Sequence, residues 1–174
     1  DLEKKIVAAL ADLREAVSRY APVTFASSMG AEDMVLTDLI YRNNLDIEIF
    51  SIDTGRLPQQ TYALMAAADK HYGKPAKIYV PQAVSVEGFI QTYGINGFFD
   101  SIDARKACCH ARKVEPLRRA LTGKRAWVTG LRSTQSSTRE AVSASAFDEN
   151  YGLQKINPLA QWSEVEVWQY LRAN

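Results

Sequence analysis

The chain has 174 residues, 47% of them hydrophobic and 24% charged, with a formal net charge of +1. This length and composition are typical of a single globular domain, 1–174, with a core of its own. The near-neutral charge offers no basic field for nucleic acid, and no apolar run approaches the roughly 20 residues that a membrane helix needs. We therefore expect no nucleic-acid partner and no membrane contact.

The predicted elements alternate helices with short apolar strands. Apolar residues at helical spacing predict an amphipathic helix over 2–19. The elements that follow are a strand at 23–26, a helix at 31–42, a strand at 47–52, a helix with Pro58 near its first turn and Gly73 at its end, and strands at 76–80, 125–130 and 152–157. This alternation predicts the α/β class, with a parallel twisted sheet flanked by helices and with ligands outside the carboxyl ends of the strands.

The last predicted element is a helix that begins at the capping-box pair Ser163 and Glu166. It reaches Asn174 after barely three turns. A helix that begins in this way is typical of a segment that leads into further folded chain. We therefore expect the 174 residues to be a fragment, or to lack their C-terminal tail.

The loop "SSMGAED" at 27–33 follows the first strand and is a candidate anion site. Backbone N–H groups and a helix N-terminus attract anions, so Ser27, Ser28, Gly30 and Asp33 are candidate binding residues. The loop has neither the Gly-Lys-Ser/Thr of a Walker A motif nor the three glycines of a dinucleotide fingerprint. In isolation, an ordinary strand-to-helix turn explains it better.

Two further polar loops follow predicted strands. In "SIDTG", Asp53, Thr54 and Gly55 would lie beside the first loop at the carboxyl edge, although an Asx turn explains them too. In "GLRSTQSSTRE", Arg132 and Arg139 flank hydroxyl and amide side chains. Arginine suits sulfate or phosphate because its donors match two oxygens at once, but alone such a run is more often a solvated loop.

The only cysteines, Cys108 and Cys109, are adjacent in "RKACCHARK". A disulfide between neighbours is strained, and one zinc ion usually takes cysteines two to four residues apart. Neighbouring helical residues point about 100° apart, so the pair suits two corners of a large iron cluster better than one ion. Two small buried hydrophobic residues are the alternative. Two unbridged cysteines favour a reducing cytoplasm.

Four cationic side chains surround the cysteines and would stabilise thiolates. We expect the pair in the first turn of a helix, where the dipole acts in the same direction. We also expect Pro116 to kink or break that helix near 114–115.

Together, "SSMGAED", "SIDTGRLPQQTY", "KACCHARKVEPL", "WVTGLRSTQSSTR" and "NPLAQWSEVEVWQYL" resemble, in this order, the motifs of assimilatory adenylyl-sulfate (APS) reductases of the sulfonucleotide reductase family. The resemblance covers nearly all of the chain from about residue 20. It implies an adenine-nucleotide-hydrolase-like fold of the PP-loop type. It also implies reduction of adenylyl sulfate to sulfite and AMP by thioredoxin or a glutaredoxin-like donor, in sulfate assimilation and cysteine biosynthesis.

The resemblance also implies site roles. Cys108 and Cys109 would be two of four ligands of a [4Fe–4S] cluster, and Lys113 would link the cluster electrostatically to bound sulfate. The residues expected to line the nucleotide and sulfate pocket are Ser27, Ser28, Gly30, Asp33, Asp53, Thr54, Gly55, Arg132 and Arg139.

The sequence departs from the family pattern in three places. No cysteine follows Cys109, so the later Cys-x-x-Cys and the tail nucleophile are missing from these residues. Ser133 stands where a second basic residue is usual, and Gln60 where an acidic residue is common. We therefore expect this chain to bind AMP or adenylyl sulfate weakly, to hold iron poorly and to release no sulfite.

Three other functions compete. The first is phosphoadenylyl-sulfate (PAPS) reduction, against which the adjacent cysteines argue because cluster-free relatives lack them. The second is an ATP-splitting PP-loop adenylating enzyme, which would depend on ATP and Mg²⁺. The third is a thiol redox sensor without catalysis. The preferred nucleotide and homo-oligomer formation stay open.

Overall fold

The computed structural model describes residues 1–135 and 142–174. In chain order its regular elements are α1 (Leu2–Tyr20), β1 (Val23–Ala26), α2 (Ala31–Arg42), β2 (Ile47–Ile52), α3 (Gln59–Tyr72), β3 (Lys77–Tyr79), α4 (Ala83–Tyr93), α5 (Ile102–Cys109), α6 (Glu115–Leu121), β4 (Ala126–Val128), β5 (Ser145–Asp148), β6 (Leu153–Ile156) and α7 (Glu164–Ala173). Short 3₁₀ turns occupy Gly97–Phe99 and Ser133–Gln135, and a π-helical segment, His110–Val114, joins α5 to α6.

The strands of the described ranges form one six-stranded sheet in the order β3-β2-β1-β4-β6-β5. All neighbours are parallel except β5, which pairs antiparallel with β6 at the edge. Parallel strands require crossover connections, and here helices supply most of them. The α/β class predicted from the sequence is confirmed. Strand β5 and helix α4 were not predicted.

Each face of the sheet packs against its own cluster of apolar side chains. On one face Leu13 of α1, Leu36 of α2 and Val167 of α7 are fully buried with Phe25 of β1. On the other face α6 packs Ala120 and Leu121 against Phe50, Trp127 and Leu153. Burial of each large apolar side chain contributes about 1.5–3 kcal/mol. Over the two described ranges, no helix is both long and apolar enough to cross a bilayer.

A buried carboxylate joins three helices at the first of these faces. Asp38 of α2 accepts hydrogen bonds from Tyr72 of α3 at 2.8 Å and from Tyr170 of α7 at 2.6 Å. Arg42 lies 2.9 Å from the same carboxylate. Burial and the bonds to Asp38 raise the pKa of both tyrosines. These contacts fix α2, whose N-terminus faces the candidate site.

The cysteine-bearing helix begins earlier than the sequence analysis predicted. The Ser101 side chain caps α5 by accepting a hydrogen bond from the Ala104 N–H at 3.0 Å. The prediction that Cys108 and Cys109 lie in a first turn is therefore wrong, because they are the last two residues of α5. The expected stabilisation of their thiolates by the helix dipole is therefore wrong as well. The positive charge at a helix N-terminus acts only within about one turn.

Pro116 distorts this helix without breaking it. It lies in the first turn of α6, directly after the π-helical segment. Val114 keeps helical dihedrals of φ −66° and ψ −47°. A π turn changes the hydrogen-bond register, which accommodates a residue that has no N–H. The predicted disturbance near 114–115 is present as this segment rather than as a break.

Candidate nucleotide-binding site

The loops after β1, β2 and β4 meet at the carboxyl edge of the sheet. Strand β1 pairs with β2 on one side and with β4 on the other, so the three loops are neighbours. The Ser27 N–H extends this pairing by donating to the Phe50 carbonyl at 2.9 Å. This edge is where parallel α/β sheets bind ligands.

The loop at 27–33 is organised around a buried carboxylate. Asp33, 6% exposed, accepts hydrogen bonds from the Ser28 N–H and the Ser28 hydroxyl, both at 2.7 Å. Burial raises the pKa of Asp33, and the bonds from Ser28 oppose that rise. Gly30 is the N-cap of α2, and Met29 has a positive φ of 66°. Asp33 thus shapes the loop, and Ser27 and Ser28 line the cavity beside it.

The loop at 53–55 is tied to the cysteine-bearing segment. Asp53 accepts a bond from the Gly55 N–H at 2.8 Å, which is the Asx turn, and another from Tyr62 at 2.6 Å. The Thr54 carbonyl accepts from Nη1 of buried Arg112 at 2.7 Å. Gly55 has φ 78°, and a Cβ there would lie 3.3 Å from the Arg112 guanidinium. Glycine therefore suits both the turn and the close approach.

Arg132 makes its contacts within the protein. Its Nε donates to Glu32 at 2.7 Å and its Nη1 to Thr134 at 2.8 Å, and its side chain is 6% exposed. It holds the loop after β4 against the start of α2. Its direct contact with sulfate or phosphate stays a prediction. Arg139 lies outside the described residues.

A cavity of about 290 Å³, here called the apolar cavity, opens at the carboxyl edge. Its walls are mainly apolar, and its polar side chains include Ser27, Ser28, Thr54 and Lys113. The apolar part is Ala26, Phe50, Ile52, Leu57, Met65, Leu117 and Trp127. An apolar pocket with a few polar groups is the usual form of a small-molecule site.

A second cavity, of about 400 Å³ and here called the polar cavity, adjoins the first. Both are lined by Ala26, Ser28 and Trp127. Its remaining lining is Gly30, Glu32, Asp33, Thr129, Gly130, Leu131, Gln135 and Lys155. It lies between the β1 and β4 loops.

A third cavity, of about 510 Å³ and here called the cysteine cavity, contains both thiols. Cys108 is half-buried and Cys109 exposed, and both are free. Arg56, Arg105, Arg112 and Lys113 line the same cavity with Thr54, Leu57 and Phe98. Thr54, Leu57 and Lys113 belong to the apolar cavity as well, so the two cavities are adjacent.

The thiols fit part of a metal cluster. A [4Fe–4S] cluster takes four ligands, usually cysteines, and these residues supply two beside cationic side chains. Within the described part of the chain, no group of three or more His, Cys, Asp or Glu side chains could hold a metal ion. Of the four ligands that such a cluster needs, these residues therefore contain cysteines for two at most.

Sequence reasoning missed several residues of these cavities. Trp127 lines both the apolar and the polar cavity, and Lys155 lines the polar one. Arg56 donates to the Ile95 carbonyl and holds the segment containing Phe98 at the cysteine cavity. Trp127 and Lys155 each lie one residue before the end of a strand, a position that could have marked both.

The fold and these loops define a nucleotide-binding α/β protein. The family model described as "Phosphoadenosine phosphosulfate reductase domain" matches residues 22–174. A curated relative from Allochromatium vinosum, named "Adenosine 5'-phosphosulfate reductase", is 48% identical over 171 residues, which cover 98% of this chain and 67% of the relative. The chain belongs to this reductase-domain family, as its motifs predicted. It spans about two thirds of that relative's length.

Solved structures agree with the predicted fold type. The PAPS reductase of Candida auris, solved as a phosphate complex, superposes with a TM-score of 0.81 at 29% identity, covering 96% of this chain and 79% of that one. The NH₃-dependent NAD synthetase of Campylobacter jejuni has a TM-score of 0.66 at 12% identity, over 99% of this chain and 73% of that one. The second likeness shows the fold alone. The predicted PP-loop type of fold is confirmed.

Proposed function

We propose that this chain is the nucleotide-binding part of an adenylyl-sulfate reductase, which reduces adenylyl sulfate to sulfite and AMP in sulfate assimilation and cysteine biosynthesis. One observation carries the proposal: Lys113 lines both the apolar cavity and the cysteine cavity. A nucleotide bound in the first cavity would thus present its phosphosulfate to a cation next to the thiols. The name of the Allochromatium relative supports the same reaction.

The apolar cavity suits an adenosine group. Phe50, Ile52 and Met65 offer apolar contacts to a base, while Ser27 and Ser28 offer hydroxyl groups. The sulfate end would lie towards Lys113, and Arg132 would act by holding the loop after β4. Arg139, outside the described residues, is proposed as a further anion contact.

The reaction needs positive charge beside the sulfur. A thiolate attacks the sulfate sulfur, the bond from sulfur to the AMP phosphate oxygen breaks, and an enzyme thiosulfonate forms. A thioredoxin-type or glutaredoxin-like dithiol then releases sulfite and becomes a disulfide. Lys113 would lower the repulsion between thiolate and sulfate oxygens and stabilise the charge that builds on departing AMP. We propose that the attacking cysteine is not one of these 174 residues, because the resembled reductases carry it in a C-terminal tail and no cysteine follows Cys109 here.

Cys108 and Cys109 would hold two irons of a [4Fe–4S] cluster, with the other two ligands from outside these residues. When bound, the cluster would supply a charged group near the substrate and order the surrounding segments. Arg105, Arg112 and Lys113 would offset the negative charge of the ligating thiolates. Free thiols of this kind fit a reducing cytoplasm, where we place the protein.

The test is calorimetric titration of this chain with AMP and adenylyl sulfate. We expect both to bind, and Lys113→Ala to weaken adenylyl sulfate by about tenfold or more. Lys70→Ala, at an exposed site on α3, is the matched control and should bind like wild type. Failure of wild type to bind either ligand would contradict the proposal. Cleavage of ATP with Mg²⁺ would point instead to an adenylating enzyme.

A further inference from the structure

We infer that Arg56 latches the segment 95–99 at the cysteine cavity, so that Phe98 screens the thiol of Cys108. Arg56 is then a positioning residue: it acts through Phe98 and controls how fast solvent, oxidants and thiol reagents reach that sulfur. The inference goes beyond the proposed function, because it holds whether or not the thiols carry a cluster.

The latched segment makes few hydrogen bonds to the rest of the fold. It follows Gly94, which ends α4 with a φ of 87° that favours glycine. Its backbone bonds are local, as from the Phe99 N–H to the Asn96 carbonyl at 3.2 Å. Among the described residues, Arg56 alone reaches it from a distant part of the chain, by donating to the Ile95 carbonyl and, at 3.1 Å, to Oδ1 of Asn96. The segment therefore depends on Arg56 for its place.

Arg56 also holds the aromatic ring that borders the thiols. Its guanidinium carbon lies 4.8 Å from the centre of the Phe98 ring. A cation over an aromatic face is attracted by the ring quadrupole. Phe98 is half-buried and lines the cysteine cavity with Cys108 and Cys109, whereas Phe99 is 72% exposed. Of the two neighbouring rings, Phe98 is thus the one in place to cover a thiol.

The latch is anchored on a well-tied loop. The Arg56 N–H donates to the Thr54 hydroxyl at 3.2 Å, and the Thr54 carbonyl accepts from buried Arg112 at 2.7 Å. Arg112 lies in the π-helical segment that directly follows Cys109. The backbone of the loop is thus fixed to the cysteine-bearing segment, while the Arg56 guanidinium reaches across to Phe98. Loss of the guanidinium alone would release the segment and leave the loop in place.

The two thiols differ in a way that makes the latch measurable. Cys108 is half-buried and Cys109 is exposed. A reagent reaches a covered thiol only after a local opening, which an exposed thiol does not need. Release of the segment should therefore speed the modification of Cys108. A purely electrostatic role of Arg56 predicts the opposite sign, because a cation beside a thiol favours the reactive thiolate.

The test measures how fast iodoacetamide, a neutral reagent, alkylates Cys108 in a Cys109→Ser background, with mass spectrometry as the readout. We expect Arg56→Ala and Phe98→Ala each to raise this rate about fivefold or more. The double variant should react no faster than the faster single variant, because both changes remove the same cover. Arg56→Lys keeps the charge without the planar donor group, and its rate should lie between those of wild type and Arg56→Ala.

Two controls accompany these rates. Lys70→Ala, at an exposed site on α3, should react like wild type. In a Cys108→Ser background, the exposed Cys109 should react no faster in Arg56→Ala than in wild type. Thermal melts monitor the fold, and if Arg56→Ala unfolds, Phe98→Ala decides the question.

Three results would overturn the inference and leave the proposed function intact. Unchanged alkylation of Cys108 in Arg56→Ala would mean that the segment keeps its place without the latch. Slower alkylation would mean that Arg56 acts on the thiol by its charge. Rate increases that multiply in the double variant would mean that Arg56 and Phe98 act separately. Failure of AMP and adenylyl sulfate to bind would, in contrast, contradict the proposed function and leave the latch unaffected.

Discussion

Arg132 and Glu32, one hundred positions apart in the chain, form a nearly buried ion pair with 2.7 Å between Nε and Oε1. The pair joins the loop after β4 to the first turn of α2. Glu32 lines the polar cavity together with Gly130 and Leu131, so the pair holds two parts of that cavity's wall together. Electrostatic contacts of this kind are stabilising only while both partners are present.

We predict that Arg132→Ala lowers the free energy of unfolding by about 2–4 kcal/mol, because it leaves the Glu32 carboxylate in a partly buried site without its cation. Urea denaturation measures the change. The control is Arg19→Ala, which removes an exposed pair with Glu15 whose side chains are 61% and 58% exposed. That variant should lose much less stability than Arg132→Ala, because an exposed ion pair contributes little. Equal losses in the two variants would contradict a structural role for Arg132.

The second prediction concerns the contact between Gly130 and the start of α2. A Cβ at Gly130 would overlap the Asp33 carboxylate and lie 3.1 Å from the Glu32 Cβ. Gly130→Ala should therefore push the two loops apart, cost about 1–3 kcal/mol of stability and weaken AMP binding.

Gly88→Ala is the matched control for that substitution. Gly88 lies within α4 and a Cβ there would meet nothing within 4 Å. Alanine at such a helical position is expected to stabilise by about 0.5–1 kcal/mol. Thermal melts and AMP titration of both variants decide the matter. A Gly130→Ala protein that melts and binds like wild type would rule out the close packing described.

Much of the fold could be predicted from the sequence because its signals are local. The runs at 23–26 and 47–52 are apolar, bounded by polar loops, and both form strands with those limits. Strand β5 was missed because only Asp148 at its end is even partly buried, so the strand has no apolar alternation. The start of the cysteine-bearing helix was predicted too far along the chain because Ser101 was not recognised as its N-cap.

The site was less predictable because its contacts are long-range. From the sequence alone, Arg132 is typical of an anion-binding arginine. In the structure its guanidinium forms an ion pair with Glu32, which the sequence does not indicate. Lys155 was missed for a related reason. Its place in the polar cavity, beside Trp127, depends on the pairing of β4 with β6, which the sequence does not reveal. Loop composition predicts where a ligand would bind, whereas tertiary contacts determine which side chains are free to bind it.

The third prediction concerns stability in acid. Glu166 accepts hydrogen bonds from Lys5 and from the Ser163 backbone at 2.7 Å each, and these lower its pKa to about 2. A carboxyl with a pKa depressed on folding stabilises the protein above its unfolded pKa of about 4.5 and loses that contribution as the pH falls towards 2.

Glu166→Gln should therefore be less stable than wild type at pH 7, and the difference should shrink between pH 4.5 and 2. Denaturant midpoints at several pH values measure it. Glu164→Gln, two residues earlier in the same first turn and exposed, controls for the helix dipole. A difference that is constant over this pH range would show that the ion pair with Lys5 is not its source.

The last prediction concerns stability in alkali, and it follows from the carboxylate of Asp38. Tyr170 is 5% exposed and donates to Asp38 at 2.6 Å, and burial with this bond raises its pKa above the ordinary value of 10.0. An acid whose pKa is raised on folding stabilises the protein fully below the unfolded pKa. That contribution is lost as the pH rises through the folded pKa. Wild type should therefore lose stability above about pH 10, where unfolded tyrosine ionises.

Tyr170→Phe should be less stable at pH 7 by about 1–3 kcal/mol, since the buried Asp38 loses a donor, and its stability should fall less steeply above pH 10. Tyr93→Phe, at a partly exposed tyrosine of α4, should follow the wild-type curve. Denaturant unfolding from pH 7 to 11 tests both parts, and parallel curves for wild type and Tyr170→Phe would exclude Tyr170 as the titrating group.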